Sequence, residues 1–310
     1  MGTRLWSPGP VARMGLALAV VAGGCLPGAC RSRRAERHPA PAIAWELVYE
    51  QEIDGNSDIY VVPAKGGPPR RITEDPGYDS LARWTPDGRR IIFTSERTGK
   101  AQLWEVAAEG GKPRRIRANA ASESQSDVSP DGRRLAFLSD LDGWPRLLVQ
   151  DQDKGAVQEL VRHGDDTIFG NPHWSPDGSR IAFSSDWPDG HQVYVVDVPG
   201  REVRPVARGC EPRFTRDGRS VAYVSRRFPS RSQLVAHDLE TGQERVLVDW
   251  PALNYDPAFS PDGTEIAFAS DIVGEWTIFR QRLADGQAWR VTFGGPARYP
   301  DYRPPPVENR

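Results

Sequence analysis

Cysteine is nearly missing from this chain: three in 310 residues, two of which, Cys25 and Cys30, fall among the first 30. Only Cys210 is left in the body, so no internal disulfide is expected and packing must hold the fold. Long hydrophobic runs are also lacking, and the run near the start, Met14–Ala22, is too short to span a bilayer comfortably. No single sign of charge dominates. Forty Lys and Arg against 42 Asp and Glu leave −2, and no arginine-aromatic RNA signature occurs, so general attraction for nucleic acid is excluded. The five histidines (His38, His163, His173, His191 and His237) show no metal-ligand spacing, and there is no G-x-S-x-G nucleophile elbow. Helical periodicity is missing after residue 40, which leaves an all-β reading.

What the chain does have is a line written five times: ARWTPDGRRIIFTSE, SDVSPDGRRLAFLSD, PHWSPDGSRIAFSSD, PRFTRDGRSVAYVSR and PAFSPDGTEIAFASD. Their glycines, Gly88, Gly132, Gly178, Gly218 and Gly263, stand 40 to 46 residues apart, the period of a propeller blade. One unit decodes into four strands: Asn171–Ser175, Arg180–Ser185, Gln192–Asp197 and Val203–Ala207. Between the first two, Pro presets φ, Asp caps the turn through its side chain, and Gly takes positive φ without steric cost. The second strand is a near-continuous apolar run, as burial on both faces demands.

The ends settle the number of blades. Trp45–Gln51, Asp58–Pro63 and Arg70–Thr73 match the second to fourth strands of a unit that has no first strand. At the other end, Tyr299–Pro304 matches Asp256–Pro261, a first strand with nothing after it. Pairing the two closes a ring and hides an edge that would invite aggregation. The expected fold is an all-β six-bladed β-propeller of four-stranded antiparallel blades, with the C-terminal strand joining the N-terminal blade.

The S-P-D-G-x-x-I-A-F-x-S-D pattern, followed by Tyr194-Val195-Val196-Asp197, resembles the repeats of the TolB family of periplasmic propellers. The resemblance covers residues 43–304 and implies a six-bladed propeller and a role in the bacterial cell envelope, where TolB belongs to the Tol–Pal system. The same repeats occur in propellers attached to prolyl-oligopeptidase-type peptidases and in some lyases. Two positions depart from the pattern: Val128 stands where Trp84, Trp174, Phe214 and Phe259 are aromatic, and Arg216 replaces the turn proline. Only 42 residues precede the propeller, too few for the N-terminal α/β domain of the TolB family.

Those residues read as an export segment. Arg4 and Arg13 precede the apolar run, which ends Gly23-Gly24-Cys25, similar to a bacterial lipobox. Three outcomes stay open: lipidation at Cys25, cleavage near Ala29, or an uncleaved anchor. The expected organisation is a signal over 1–30, a charged proline-containing tether over 31–42, the propeller over 43–304, and a tail over 305–310. The protein is expected in the periplasm or anchored to an envelope membrane as a monomer, with no cofactor.

Two constellations are candidates for function. In a four-stranded blade the loops between second and third strands share a face with the blade-to-blade connectors. That face collects Tyr78, Asp79, Trp144, Phe169, Trp187, Phe228, Trp250, Tyr255, Asp256, Trp276 and Tyr299, the mixture of aromatics and charge that binding surfaces use. The opposite face has only tight turns: the P-D-G set and Gly66-Gly67, Gly110-Gly111, Gly155, Gly200, Gly242 and Gly286. The alternative for the aromatic set is that rings fold back over blade edges. The second constellation is a ring of Asp301, Arg83, Asp127, His173 and Arg213 around the channel, closed by Ala258. It can grip a charged ligand or a peptide end, or its charges can simply neutralise one another.

Other acidic motifs read as ordinary loops. Asp54–Asp58 imitates the start of a calcium loop, but Ile59 and Lys65 replace the required Gly and Glu, so a hairpin is expected. The expected function is a non-catalytic envelope scaffold that binds another protein or a cell-wall-associated component. The alternatives are a propeller enzyme of lyase or lactonase type and a glycan-binding module.

Overall fold

The computed structural model describes residues 45–140, 143, 145–162, 169–186 and 191–305. The proposed export segment, Cys25, the tether, Trp144, Trp187 and residues 306–310 lie outside them.

Among the described residues there are no helices and six four-stranded antiparallel sheets. Blade 1 is built from β1 (Glu46–Ile53), β2 (Asn56–Pro63), β3 (Arg70–Arg71) and, on its inner edge, β24 (Ala297–Tyr302). The inner strands of blades 2 to 6 are β4 (Asp79–Trp84), β8 (Glu123–Val128), β12 (Phe169–Trp174), β16 (Cys210–Phe214) and β20 (Asn254–Phe259). Each inner strand contacts the next around a closed circle, β20 meeting β24 and β24 meeting β4. The expected closure is present, with Leu47 opposite Tyr302 and Gln51 opposite Ala297.

The Ser/Thr-Pro-Asp-Gly turn is a small hydrogen-bonded device. In blade 4, Gly178 N donates to Ser175 O at 2.9 Å, while Asp177 Oδ1 accepts from Ser175 Oγ at 2.5 Å and Ser179 N at 3.0 Å. These donors hold the Asp177 carboxyl down at about 2. Asp54-Gly55 is the expected hairpin, with both residues at positive φ (52° and 80°), as a two-residue type I′ turn needs. One expected turn residue differs: in the third-to-fourth turn of blade 4, Arg201 (φ 55°), not Gly200, takes the left-handed conformation, bonding its N–H to Asp197 O.

Core residues gather into six clusters, one per blade interface. The second strand explains its own apolar run. In β5 (Arg90–Ser95), Ile91 and Phe93 point toward blade 1 and Ile92 toward blade 3. A side chain on either face of such a strand meets a neighbouring blade. The inner-strand aromatics Trp84, Trp174, Phe214 and Phe259 are buried between blades as expected, and Val128 is buried at the same position.

Candidate functional site

The channel ring is positioned by the inner strands, and its acids face neighbouring blades. Asp127 Oδ2 accepts the backbone N–H of Trp174 at 2.7 Å, and Asp301 Oδ2 accepts that of Trp84 at 3.0 Å. Each Trp indole N–H also reaches the carbonyl of the same Asp, at 3.1 and 3.2 Å. His173 repeats the arrangement with its ring, Nδ1 accepting Phe214 N–H at 3.2 Å. Burial pushes the Asp127 carboxyl up to about 6 against the pull of Arg213. It also holds the His173 imidazolium well below its usual range, helped by the positive charges of Arg213 and Arg83, so the ring is neutral.

A second level of the channel was not visible in the sequence. Every inner strand carries a bulge whose central residue has positive φ: Leu81, Gln125, Asn171, Glu211, Asp256 and Tyr299, all between 52° and 56°. Such a backbone costs about 1–2 kcal/mol per non-glycine residue, and side-chain acceptors from the preceding blade anchor Leu81, Gln125, Asn171, Asp256 and Tyr299. Glu50 Oε2 takes Leu81 N–H at 3.0 Å, Gln125 Oε1 takes Asn171 N–H, and Glu211 Oε2 takes Asp256 N–H at 2.6 Å. Burial pushes the Glu50 carboxyl up to about 7. Glu211 rises well above the usual carboxylate range through burial and the neighbouring Asp256 charge. Cys210, beside Glu211, has its thiol pushed up to about 12 by burial and that carboxylate, so it stands protonated.

The loop face brings some of the expected residues together and separates others. Tyr255, Trp276 and Tyr299 converge on one residue that sequence reasoning missed, Arg298, whose guanidinium lies 5.4, 4.6 and 4.8 Å from their ring centres. Arg298 also makes a two-pronged bond to Asp256 at 2.7 and 3.1 Å, and Asp256 is buried. Asp79 is fully buried, and the single Nη2 of Arg97 donates to both of its oxygens, at 2.9 and 3.1 Å. Neither carboxylate can reach a partner. Trp250 packs edge-on against Phe268 and Phe279, covering a blade edge. Tyr78 and Phe228 are exposed. Phe169 opens β12, and its side chain lies outside the described residues.

Exposed apolar side chains are unevenly shared between the faces. Six of the eight large ones among the described residues (Ile53, Tyr78, Phe228, Ile272, Val273 and Phe293) stand on the loops and connectors of the loop face. The other two, Val157 and Val246, lie on outermost strands. Hydrogen bonds tie together the segments that carry several of the six across blades 6, 1 and 2. Tyr78 Oη donates to Gly55 O in the turn after Ile53, and Gln51 Nε2 donates to Phe293 O. Arg290 stacks on Phe293 at 4.5 Å and pairs with Glu275, in the loop that carries Ile272 and Val273. Among the described residues, no group of three His, Cys, Asp or Glu side chains is arranged to hold a metal ion.

A six-bladed ring of S/T-P-D-G units, closed by its last strand, with a charged channel and an apolar loop face, defines a repeat propeller. The family model for the TolB beta propeller domain matches residues 40–167 and 123–249, more than half of the chain, and the chain belongs to that family. Tol-Pal system protein TolB of Rickettsia massiliae is 42% identical over 52 residues, and that of Rickettsia akari 40%. Those matches span 17% of this chain and only 12% of the relatives' length. Among solved structures, TolB from Acinetobacter baumannii superposes with a TM-score of 0.75 at 20% identity, covering 84% of this chain and 67% of that one. An oligogalacturonate lyase in complex with manganese superposes at 0.56 and 17% identity, covering 80% and 73%. At these identities the structural likeness speaks for the fold.

Proposed function

We propose that the protein is a non-catalytic scaffold of the bacterial cell envelope, whose loop face binds another envelope protein or a cell-wall-associated component. The observation that carries this reading is the crescent of exposed apolar side chains, Tyr78, Ile53, Phe293, Ile272 and Val273. Exposed apolar groups gathered on one face mark interaction surfaces, whereas scattered single residues do not. Arg298, with Tyr255, Trp276 and Tyr299, supplies a rigid aromatic-cationic base nearby, of the residue types enriched at interface hot spots. The non-catalytic part rests on the engagement of the carboxylates: Glu50, Glu211, Asp127 and Asp301 each hold a backbone N–H of the next blade. The envelope location rests on the short apolar run behind Arg4 and Arg13 and on the matches to Tol-Pal system proteins.

Site-specific photo-crosslinking in envelope extracts tests the proposal. A benzophenone side chain placed at position 78, 272 or 293 is expected to capture the same envelope component. Placed at 110 or 242, on the turn face, it is expected to capture none. Adducts formed only from 110 and 242 would reverse the assignment of faces.

A further inference from the structure

Two guanidinium groups in the channel make no ion-pair contact with a described residue. They are Arg83 and Arg213, 7% and 6% exposed. Arg213 uses Nε on Pro257 O at 3.1 Å, and Arg83 uses Nη1 on Ala82 O at 3.0 Å, which leaves both Nη groups of Arg213 and one of Arg83 without a partner among the described residues. Mutual neutralisation of the ring therefore does not occur through contact, because Asp127 and Asp301 are turned toward Trp174 and Trp84. An Arg fork matches a carboxylate with two parallel bonds. His173 adds a further donor. Its Nδ1 accepts from Phe214, so the neutral ring carries its proton on Nε2.

Arg213 and His173 line a cavity of about 290 Å³ at the turn-face mouth of the channel, and Arg83 lies outside that lining. Its charged wall is Asp127, His173, Arg213, Arg216 and Asp301, and burial, with the neighbouring Arg83 charge, lowers the Arg213 guanidinium to about 10. Above that wall stands an apolar collar of Pro86, Pro130, Pro176 and Pro304. Arg216 occupies the place that proline takes in the other turns. It spans to the next blade, donating to Ser260 O at 3.0 Å and Phe259 O at 2.8 Å, and adds a second cation at the mouth. Two guanidiniums face two carboxylates in this wall beside a neutral imidazole, and the carboxylates are engaged with backbone N–H groups while the Nη groups of Arg213 are not.

We propose that this cavity binds the C-terminal carboxylate of an extended peptide. The free Nη pair of Arg213 takes the carboxylate, and the proline collar takes the terminal apolar side chain. The volume, near the lower end for small-ligand cavities, admits a chain end and not a folded segment. The site lies on the face opposite the apolar crescent, so it stands or falls independently of the loop-face reading.

Calorimetric titration of the full chain with N-acetyl-Ala-Phe as the free acid, and with its C-terminal amide, tests the proposal. The acid is expected to bind at least tenfold more tightly than the amide and than acetate. Arg213→Gln and, separately, Arg216→Pro, which restores the turn residue, are each expected to weaken the acid at least threefold. Thermal melts identify any variant that fails to fold, in which case the other variant and the acid-amide comparison carry the test. Equal binding of acid and amide, no binding of the acid at millimolar concentration, or binding untouched by both substitutions would overturn the proposal. Acetate bound as tightly as the peptide acid would show a free-anion site only and overturn the peptide assignment.

Discussion

Asp301 holds Trp84 twice, its carboxylate accepting the Trp84 backbone N–H at 3.0 Å and its carbonyl the indole N–H at 3.2 Å, although 217 residues separate them. The pair joins the last strand of the ring to blade 2. Asp301→Ala leaves a buried backbone N–H without an acceptor, and a loss of about 1–3 kcal/mol is expected in urea unfolding. Asp301→Asn, which keeps a carbonyl oxygen at that site, is expected to retain most of the stability. Equal losses in the two variants would show that the hydrogen bond contributes little.

Removing the chain from Tyr299 onward deletes most of β24 and strips blade 1 of its inner edge. The truncated protein is expected to melt well below the full chain and to associate through the unpaired β1. Superimposable melting curves and a monomeric elution profile would contradict ring closure by that strand.

Trp174 sits in the interface of blades 3 and 4, 3% exposed, against Leu147, Leu160 and Ile181. The guanidinium of Arg134 covers its ring at 4.6 Å. Trp174→Ala is expected to cost about 3–5 kcal/mol. A loss below 1 kcal/mol in chemical denaturation would mean that the interface closes over the gap.

Stability should depend on pH through Glu50. Its carboxyl, raised from 4.5 to about 7, keeps its proton in the folded chain where the unfolded chain has released it. That contribution is complete below the unfolded value and is lost as pH rises through 7. Asp127, raised to about 6, acts in the same direction, whereas the depressed His173 stabilises above its unfolded value and opposes them as the pH falls. Glu50→Gln is expected to flatten the decline between pH 5 and 8 by about 1–2 kcal/mol. Parallel stability curves for the two proteins over that range would refute this role.

The turn motif and the strand alternation made the blades legible, because Ser175-Pro176-Asp177-Gly178 fixes a turn through its own atoms and Arg180–Ser185 is apolar on both faces. The clasps were not legible. Asp79 and Asp256 read as loop-face charges, yet each is buried by an arginine, Arg97 or Arg298, that lies 18 or 42 residues away. The bulges left no trace either. Leu81 and Tyr299 are not residues that favour left-handed backbone, and only acceptors on the preceding blade hold them there. Arg216 did show in the sequence, as the one arginine among the turn prolines, but the cation it adds at the channel mouth follows only from the fold.

The pairing of β24 with β1 also orders events in time. More than 220 residues separate β3 from the strand that completes its blade. At about 5–20 residues per second, a growing chain takes on the order of 10–40 s to make them. Blades 2 to 6 each hold their four strands in one contiguous stretch and can form as they are made. Blade 1, the first to be synthesised, is the last that can be finished, and until then its inner edge is open to any extended segment that reaches it.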